Sequence, residues 1–210
     1  NSTYSRREAD KLIEEGKVKI NGKVVTNLAT KVSNNDEVEI GRKKIKEDKN
    51  KISTVIVYNK PKGEIVSKKD PQGRRTIYDS LDHKYKHFLS VGRLDYASEG
   101  LLLLSDSVTI VDALMHSDLE RVYKIKVNGV ITKPVEEAMQ HGLEIEDATS
   151  GAYKTSKIKS MSFAPFLAYD ILTNSEKFSK IKVVISEGKN RELRRFFAHF
   201  GLDVLDLKRL

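Results

Sequence analysis

The feature that most constrains the fold is a run of four leucines at 101–104, which directly follows a charged turn. The preceding residues, 92–100, read Gly-Arg-Leu-Asp-Tyr-Ala-Ser-Glu-Gly and place Arg93 and Asp95 at the mouth of an apolar segment. Charged side chains beside a buried strand cost free energy unless they are paired or used. An exposed ion pair would return only about 0–1 kcal/mol. The run therefore predicts a buried strand with a functional carboxylate just before its N-terminal end.

The composition excludes several classes of protein. The 210 residues include no cysteine, which rules out disulfides, thiolate catalysis and cysteine-ligated metals. No apolar run approaches the roughly 18 residues of a membrane span, and the first residues lack the apolar core of a signal peptide, so we expect a cytoplasmic, non-membrane protein. The net charge of +8 favours an anionic partner, with nucleic acid ahead of an anionic membrane surface.

The first fifty residues have the pattern of a separate module. Ser5 and Glu8 fit a capping box that begins a short helix, and Gly16 is a plausible stop. Alternating residues around Asn21-Gly22 predict a β-hairpin, and a short strand is expected at 38–40. The charged stretch 41–53 is interpreted as a linker region, of which 48–53 is the linker proper.

The remaining chain predicts many strands with a few interspersed helices. Strands are expected in the segments 55–58, 101–104, 121–127, 153–162, 168–172, 180–185 and 204–207. Helices are expected in the segments 77–81, 108–115, 133–142 and 190–200. Phe196, Phe197 and Phe200, at helical spacing, are interpreted as core residues. Without regular β-α-β spacing, this order predicts an α+β domain with a mostly antiparallel mixed sheet and flanking helices.

Two parts of the chain resemble known families. The motif at 92–100 with the leucine run resembles the catalytic motif of the pseudouridine synthases that modify ribosomal RNA. The segments 142–147 and 187–195 look more like the large-subunit enzymes of that family than the small-subunit ones. The helix and hairpin of the first module resemble the S4 RNA-binding domain. The resemblance covers nearly the whole chain. It implies a small α/β S4-like domain at 1–47, truncated at its start, the linker at 48–53, and a catalytic domain at 54–210.

The resemblance also implies catalytic residues. Asp95 matches the nucleophile that attacks the target uridine, and a nearby guanidinium stabilises a carboxylate anion. Tyr123 matches the tyrosine that packs against the target base, although an ordinary half-buried strand tyrosine would fit the pattern alone. Arg194 matches the arginine that pairs with the catalytic aspartate, and Leu193 matches the aliphatic residue that lines the base pocket.

Basic residues are expected to contact RNA. Because a base within folded RNA must leave its stack to be modified, Arg93 is a candidate to fill the vacated position. Four cations fall between 189 and 195, around the start of a predicted helix. The residues expected to meet RNA phosphates are Lys189, Arg191 and Arg195 in this cluster and Arg6 and Arg7 on the first helix.

No cofactor or metal is expected. Phosphate-binding glycine motifs are absent, and His83 and His87 are much more typical of surface histidines than of a metal site. The expected partner is ribosomal RNA, bound by a monomer. Small-subunit RNA as the substrate, a non-catalytic RNA-binding protein of the same fold, and a nonspecific nucleic-acid binder are the alternatives.

Overall fold

A computed structural model describes residues 4, 6–33, 35–45, 52–153 and 156–210 of the chain. The chain divides into two compact units, Asn1–Ile52 and Ser53–Leu210. Within the described residues, no helix is long and apolar enough to cross a membrane.

The first unit contains one helix and a four-stranded antiparallel sheet. The elements are α1 (Arg6–Glu14), β1 (Val18–Ile20), β2 (Lys23–Val25), β3 (Val38–Ile40) and β4 (Lys43–Ile45), and the strand order is β2-β1-β3-β4. The predicted hairpin is confirmed, with φ angles of 50° at Asn21 and 79° at Gly22. Positive φ at both central residues gives the tight turn that matches strand twist. The predicted capping box involves Ser5, which lies outside the described residues.

The prediction of a linker from residue 41 onward is wrong at its start. Lys43–Ile45 forms strand β4, with Ile45 opposite Val38 of β3. Strand pairing uses backbone groups, so the exposed lysines of this segment do not prevent it. A high density of charged residues therefore does not distinguish an edge strand from a flexible linker in the sequence.

The second unit contains nine strands, four α-helices and one 3₁₀ turn within the described residues. Its strands are β5 (Val55–Lys60), β6 (Leu89–Ser90), β7 (Glu99–Ser105), β8 (Arg121–Asn128), β9 (Leu143–Ile145), β10 (Met161–Phe163), β11 (Ala168–Thr173), β12 (Phe178–Ile185) and β13 (Val204–Arg209). Its helices are α2 (Ile77–Ser80), α3 (Val108–Met115), α4 (Lys133–His141) and α5 (Glu192–His199), and the 3₁₀ turn is His83–Tyr85. The strand predicted at 153–162 is wrong for most of its length, because only its end joins β10.

Seven strands form one mixed sheet with the order β11-β12-β8-β13-β7-β5, and β6 also pairs with β7. All neighbours are antiparallel except β13 and β7, which run parallel. The predicted α+β class with a mostly antiparallel sheet is confirmed. Strand β5 pairs along one edge of β7. The other edge pairs with β13 at the beginning of β7 and with β6 at the end of β7.

Two apolar clusters fill the second unit. The larger joins β8 and β12 to α4 and α5, and the smaller joins α2 to β7. Phe196 and Phe197 are completely buried in the larger cluster, and Phe200 packs against it, which confirms their prediction as core residues. Helix α5 is thus anchored on one side by aromatic packing, which fixes the position of its polar side chains.

Candidate active site

Asp95 lies in the turn that leads into β7. The N–H of Ser98 donates to the Asp95 carbonyl at 3.0 Å and closes this turn. Lys60, which is completely buried, donates from Nζ to the carbonyl oxygens of Ser98 at 2.8 Å and Pro61 at 2.9 Å. Burial lowers the pKa of Lys60. A buried cation therefore braces the Asp95 turn, a role that the Lys-Pro sequence alone did not reveal.

Gly100 allows the last strand to approach the Asp95 turn. Its φ is +105°, and a Cβ placed there would lie 2.0 Å from the Arg209 carbonyl oxygen. These two residues are partners in the short parallel pairing of β7 with β13. Only glycine combines this φ with such a close backbone approach. The glycine of the sequence motif therefore fixes the turn against β13.

Two arginines from the start of α5 converge on one oxygen of Asp95. Arg191 donates from Nη1 to Oδ2 at 3.4 Å, and Nε of Arg194 lies 3.7 Å from the same atom. The partly buried carboxylate therefore faces two guanidinium groups. A carboxylate oriented in this way can act as a nucleophile.

Arg194 is held by a set of backbone and side-chain acceptors. Nη1 donates to the Val204 carbonyl at 3.0 Å, and Nη2 donates to Ser98 Oγ at 3.2 Å and the Ala97 carbonyl at 3.3 Å. Burial is the largest cause that lowers the pKa of Arg194, followed by repulsion from Arg191. Arg194 thus connects the Asp95 turn to the start of β13, which gives the carboxylate a fixed orientation.

Arg191 has a strained backbone and a crowded side chain. Its φ of 51° and ψ of 31° fall in the left-handed region, which is uncommon for arginine. Nε donates to the Gly151 carbonyl at 2.6 Å, and the guanidinium carbon lies 4.3 Å from the centre of the Tyr153 ring. Nε and Nη1 of Arg191 are thus directed to Gly151 and Asp95, and the expectation that Arg191 meets phosphates stays a prediction.

A cleft of about 790 Å³ opens in front of Asp95. Tyr123 on β8 and Leu193 on α5 are both buried and line it. Leu101 and Leu103 line it from β7, between the pairings with β13 and β6. The volume is in the range of small-molecule sites, and the apolar walls beside Asp95 would suit a planar base.

Arg93 and Lys189 lie on the rim of this cleft. Arg93 is exposed and lines the cleft beside Asp95. Lys189 is also exposed, but its Nζ lies 2.7 Å from Glu187 Oε2 and donates to the Ser162 carbonyl at 2.7 Å. Arg93 can therefore reach a ligand directly, whereas Lys189 must exchange an existing ion pair to do so.

The prediction that Arg195 meets phosphates is wrong. Its side chain is 1% exposed. It donates to the Ala148 carbonyl, to Ser156 Oγ at 2.8 Å and to Asn190 Oδ1 at 3.2 Å. Five N–H donors in a planar group suit a site surrounded by oxygen acceptors. Arg195 therefore links Ala148 and Ser156 to α5. Helical periodicity in the sequence gives no information about partners that lie about forty residues away.

Arg6 and Arg7 are exposed on α1 in the first unit. Among the described residues of that unit, neither arginine forms an ion pair, whereas Lys11 on the same helix pairs with Glu15 at 3.7 Å. Their geometry is compatible with phosphate contact. They belong to a different compact unit from Asp95.

Glu192 is a buried carboxyl group that sequence reasoning did not single out. It accepts from the Lys189 N–H at 2.9 Å, at the start of α5, and also lines the cleft. Burial raises the pKa of Glu192 to about 7, opposed by that hydrogen bond and assisted by Glu187. Among the described residues, no group of three or more His, Asp or Glu side chains is placed to hold a metal.

Comparison with known proteins identifies the family. The family model described as RNA pseudouridylate synthase matches residues 54–199, and the S4 domain model matches residues 4–38. The chain belongs to the RNA pseudouridylate synthase family. The resemblance predicted from the sequence is confirmed, and the synthase is an isomerase that carries an S4 domain.

Individual relatives match the synthase over almost its whole length. A protein of Helicobacter pylori named an uncharacterized RNA pseudouridine synthase is 58% identical over 99% of this chain and 79% of its own. The ribosomal large subunit pseudouridine synthase B of Bacillus subtilis is 34% identical over 98% of this chain and 79% of its own. A crystal structure of a pseudouridylate synthase matches with a TM-score of 0.62 and 25% identity, over 98% and 81% of the two chains.

Proposed function

We propose that this synthase isomerises uridine in large-subunit ribosomal RNA to pseudouridine, with Asp95 as the nucleophile. The observation that supports it most is the convergence of Arg191 and Arg194 on one oxygen of Asp95, in a cleft lined by Tyr123 and Leu193. The relatives named as large-subunit synthases support the choice of RNA.

The proposed reaction conserves all atoms of the nucleotide. Asp95 forms a transient bond to the target nucleotide as the bond between ribose C1′ and uracil N1 breaks. The uracil turns within the cleft, the bond to Asp95 breaks, and a bond forms between C1′ and C5. The proton on C5 leaves and N1 gains one, so the sum is an isomerisation. No oxidant, reductant or co-substrate enters the balance.

Each residue has a proposed role in this reaction. The target base leaves its stack and lies against Tyr123 and Leu193, while Arg93 fills the vacated position in the RNA. Arg194 and Arg191 orient the Asp95 carboxylate.

Other basic residues are proposed to bind the phosphate backbone. They are Lys189 at the cleft and Arg6 and Arg7 on α1. In this proposal residues 1–47 bring the RNA, residues 48–53 connect, and residues 54–210 carry out the chemistry. The synthase acts as a monomer in the cytoplasm.

Tritium release tests the proposal directly. Large- and small-subunit ribosomal RNA transcripts carrying tritium at uridine C5 are incubated with the wild-type protein, because pseudouridine formation sends that tritium to water. Asp95→Asn should release none and still bind RNA, whereas Asp82→Asn, a matched exposed control, should behave as wild type.

The outcomes separate the parts of the proposal. If the wild type releases tritium from neither RNA, the proposed activity is wrong and the protein only binds RNA. Release from small-subunit RNA alone would overturn the choice of substrate. Full activity of Asp95→Asn would overturn the assignment of the nucleophile. Pseudouridine mapping in cells that lack the protein, with and without rescue by Asp95→Asn, applies the same logic in vivo.

A further inference from the structure

We infer that one face of the central sheet in the second unit binds the RNA phosphate backbone, as an extension of the cleft. Side chains alternate between the two faces of a strand. The inward positions of β8 and β12 are filled by the larger apolar cluster. The outward positions on three adjacent strands carry five lysines, which are Lys124, Lys126, Lys180, Lys182 and Lys208.

The strand register sets these lysines directly against one another. Lys124 on β8 is opposite Lys182 on β12 and Lys208 on β13, and Lys126 is opposite Lys180. Like charges opposite each other on a sheet destabilise it. Among the described residues none of the five forms an ion pair. A face that keeps this excess of lysines is complementary to an anion.

Acidic residues on the same face are fewer than the lysines. Glu99 is opposite Lys208 and Asp170 is opposite Lys182. Asp206 is opposite Lys126 and forms an ion pair with Lys62, which lies outside these strands. Five lysines against three carboxylates leave the face with a net charge of +2. Because the charges lie within a few strand spacings, a polyanion would gain from all of them together.

The lysine face continues directly from the cleft. Val122 and Leu210 line the cleft, and each lies two residues from a lysine of this face, Lys124 and Lys208 respectively. Residues two apart on a strand share a face. An RNA strand whose target nucleotide enters the cleft would therefore pass over these lysines.

An aromatic ring lies at the far end of the same face. The Phe178 ring centre is 4.4 Å from Nζ of Lys126 and 5.7 Å from Nζ of Lys180. Aromatic rings flanked by cations on an open sheet are a common means of binding single-stranded RNA, since any base can stack on them. This combination favours RNA over an anionic membrane, which would offer no base. The inference rests on the proposed function for the identity of its ligand.

Salt dependence of RNA binding tests this surface. The probe is an in vitro transcribed large-subunit ribosomal RNA, bound at several KCl concentrations by wild type and by the triple variant Lys124→Gln, Lys182→Gln, Lys208→Gln. These three lysines are exposed. Each phosphate contact on single-stranded nucleic acid contributes about 0.7 to the slope of log K against log salt, so the triple variant should lose about 2.

A matched triple variant is the control. Lys84→Gln, Lys86→Gln and Lys133→Gln remove three exposed lysines from elsewhere in the second unit and should leave the slope as in wild type. An equal loss in the control would mean that net charge alone is responsible, which overturns the inference. An unchanged slope in the sheet variant overturns it as well.

Two further measurements complete the test. Because the substitutions remove lysines that repel one another, the melting temperature of the triple variant should equal or exceed that of the wild type. If it falls, Lys182→Glu alone replaces the triple variant. This single variant should lower the slope by at least about 0.7, the contribution of its lost phosphate contact. Binding to phosphatidylglycerol vesicles that is lost in the sheet variant, with RNA binding intact, would assign the face to a membrane and overturn the inference. Because the slope requires no turnover, its failure is distinct from a failure of the tritium release assay.

Discussion

The buried carboxyl group of Glu192 gives a pH dependence that can be worked out in sign and size. Burial raises its pKa from 4.5 to about 7 in the folded protein. A folded-state pKa above the unfolded value means that the native protein binds the proton more tightly than the unfolded chain. The contribution of Glu192 to stability is therefore fully present below about pH 4.5 and is lost as the pH rises through 7.

The size of this loss follows from the two pKa values. One pKa unit corresponds to about 1.4 kcal/mol, so the interval from 4.5 to about 7 corresponds to roughly 3 kcal/mol. Glu192→Gln removes the titration but keeps an amide oxygen that can accept from the Lys189 N–H. The variant should gain stability relative to wild type by about 3 kcal/mol between pH 4.5 and pH 8.

Urea unfolding at pH 5, 6, 7 and 8 measures this difference, followed by tyrosine fluorescence because the chain contains no tryptophan. Glu176→Gln, at an exposed loop position, is the control and should show the pH profile of wild type. Parallel profiles for wild type and Glu192→Gln would refute the argument that burial of this carboxyl group dominates its titration.

Three further substitutions test the site and its frame. Arg194→Lys should slow pseudouridine formation roughly 100-fold in single-turnover assays with unchanged RNA affinity, because a lysine cannot reach Asp95 and the backbone acceptors together. Arg195→Met should lower the free energy of unfolding by about 3 kcal/mol in urea titrations, with RNA affinity unchanged; weaker RNA binding with normal stability would restore a phosphate role. Gly100→Ala should destabilise by at least about 2 kcal/mol in thermal unfolding, clearly more than Gly73→Ala, where a Cβ meets open space; equal effects would contradict the close-approach argument.

Local chemistry was sufficient to predict much of the fold. The Asn21-Gly22 pair specifies its hairpin through positive φ angles, which are a property of two adjacent residues. The leucine run formed β7, and Phe196 and Phe197 entered the core, because strand and helix periodicity reflect which face is buried. Features set by neighbouring residues are therefore readable from the sequence.

Features set by distant contacts were not readable. Arg195 and Arg191 are four residues apart in one basic cluster, yet one binds a loop and the other faces Asp95. The left-handed backbone at Arg191 breaks the helical geometry on which the periodicity depends. Lys60 braces a turn 38 residues away in sequence, which no local pattern encodes.

The position of β13 in the sheet has a consequence for how the protein folds. This last strand lies between β7 and β8, which precede it by many residues, and it joins a β5-β7 half to a β8-β12-β11 half. The pairings of β5 with β7 and of β8 with β12 already join strands that are distant in sequence, and β13 inserts between the two halves. The anchors of Arg194 and Gly100 on β13 then arrive together. The cleft is therefore complete only when β13 has joined both halves of the sheet.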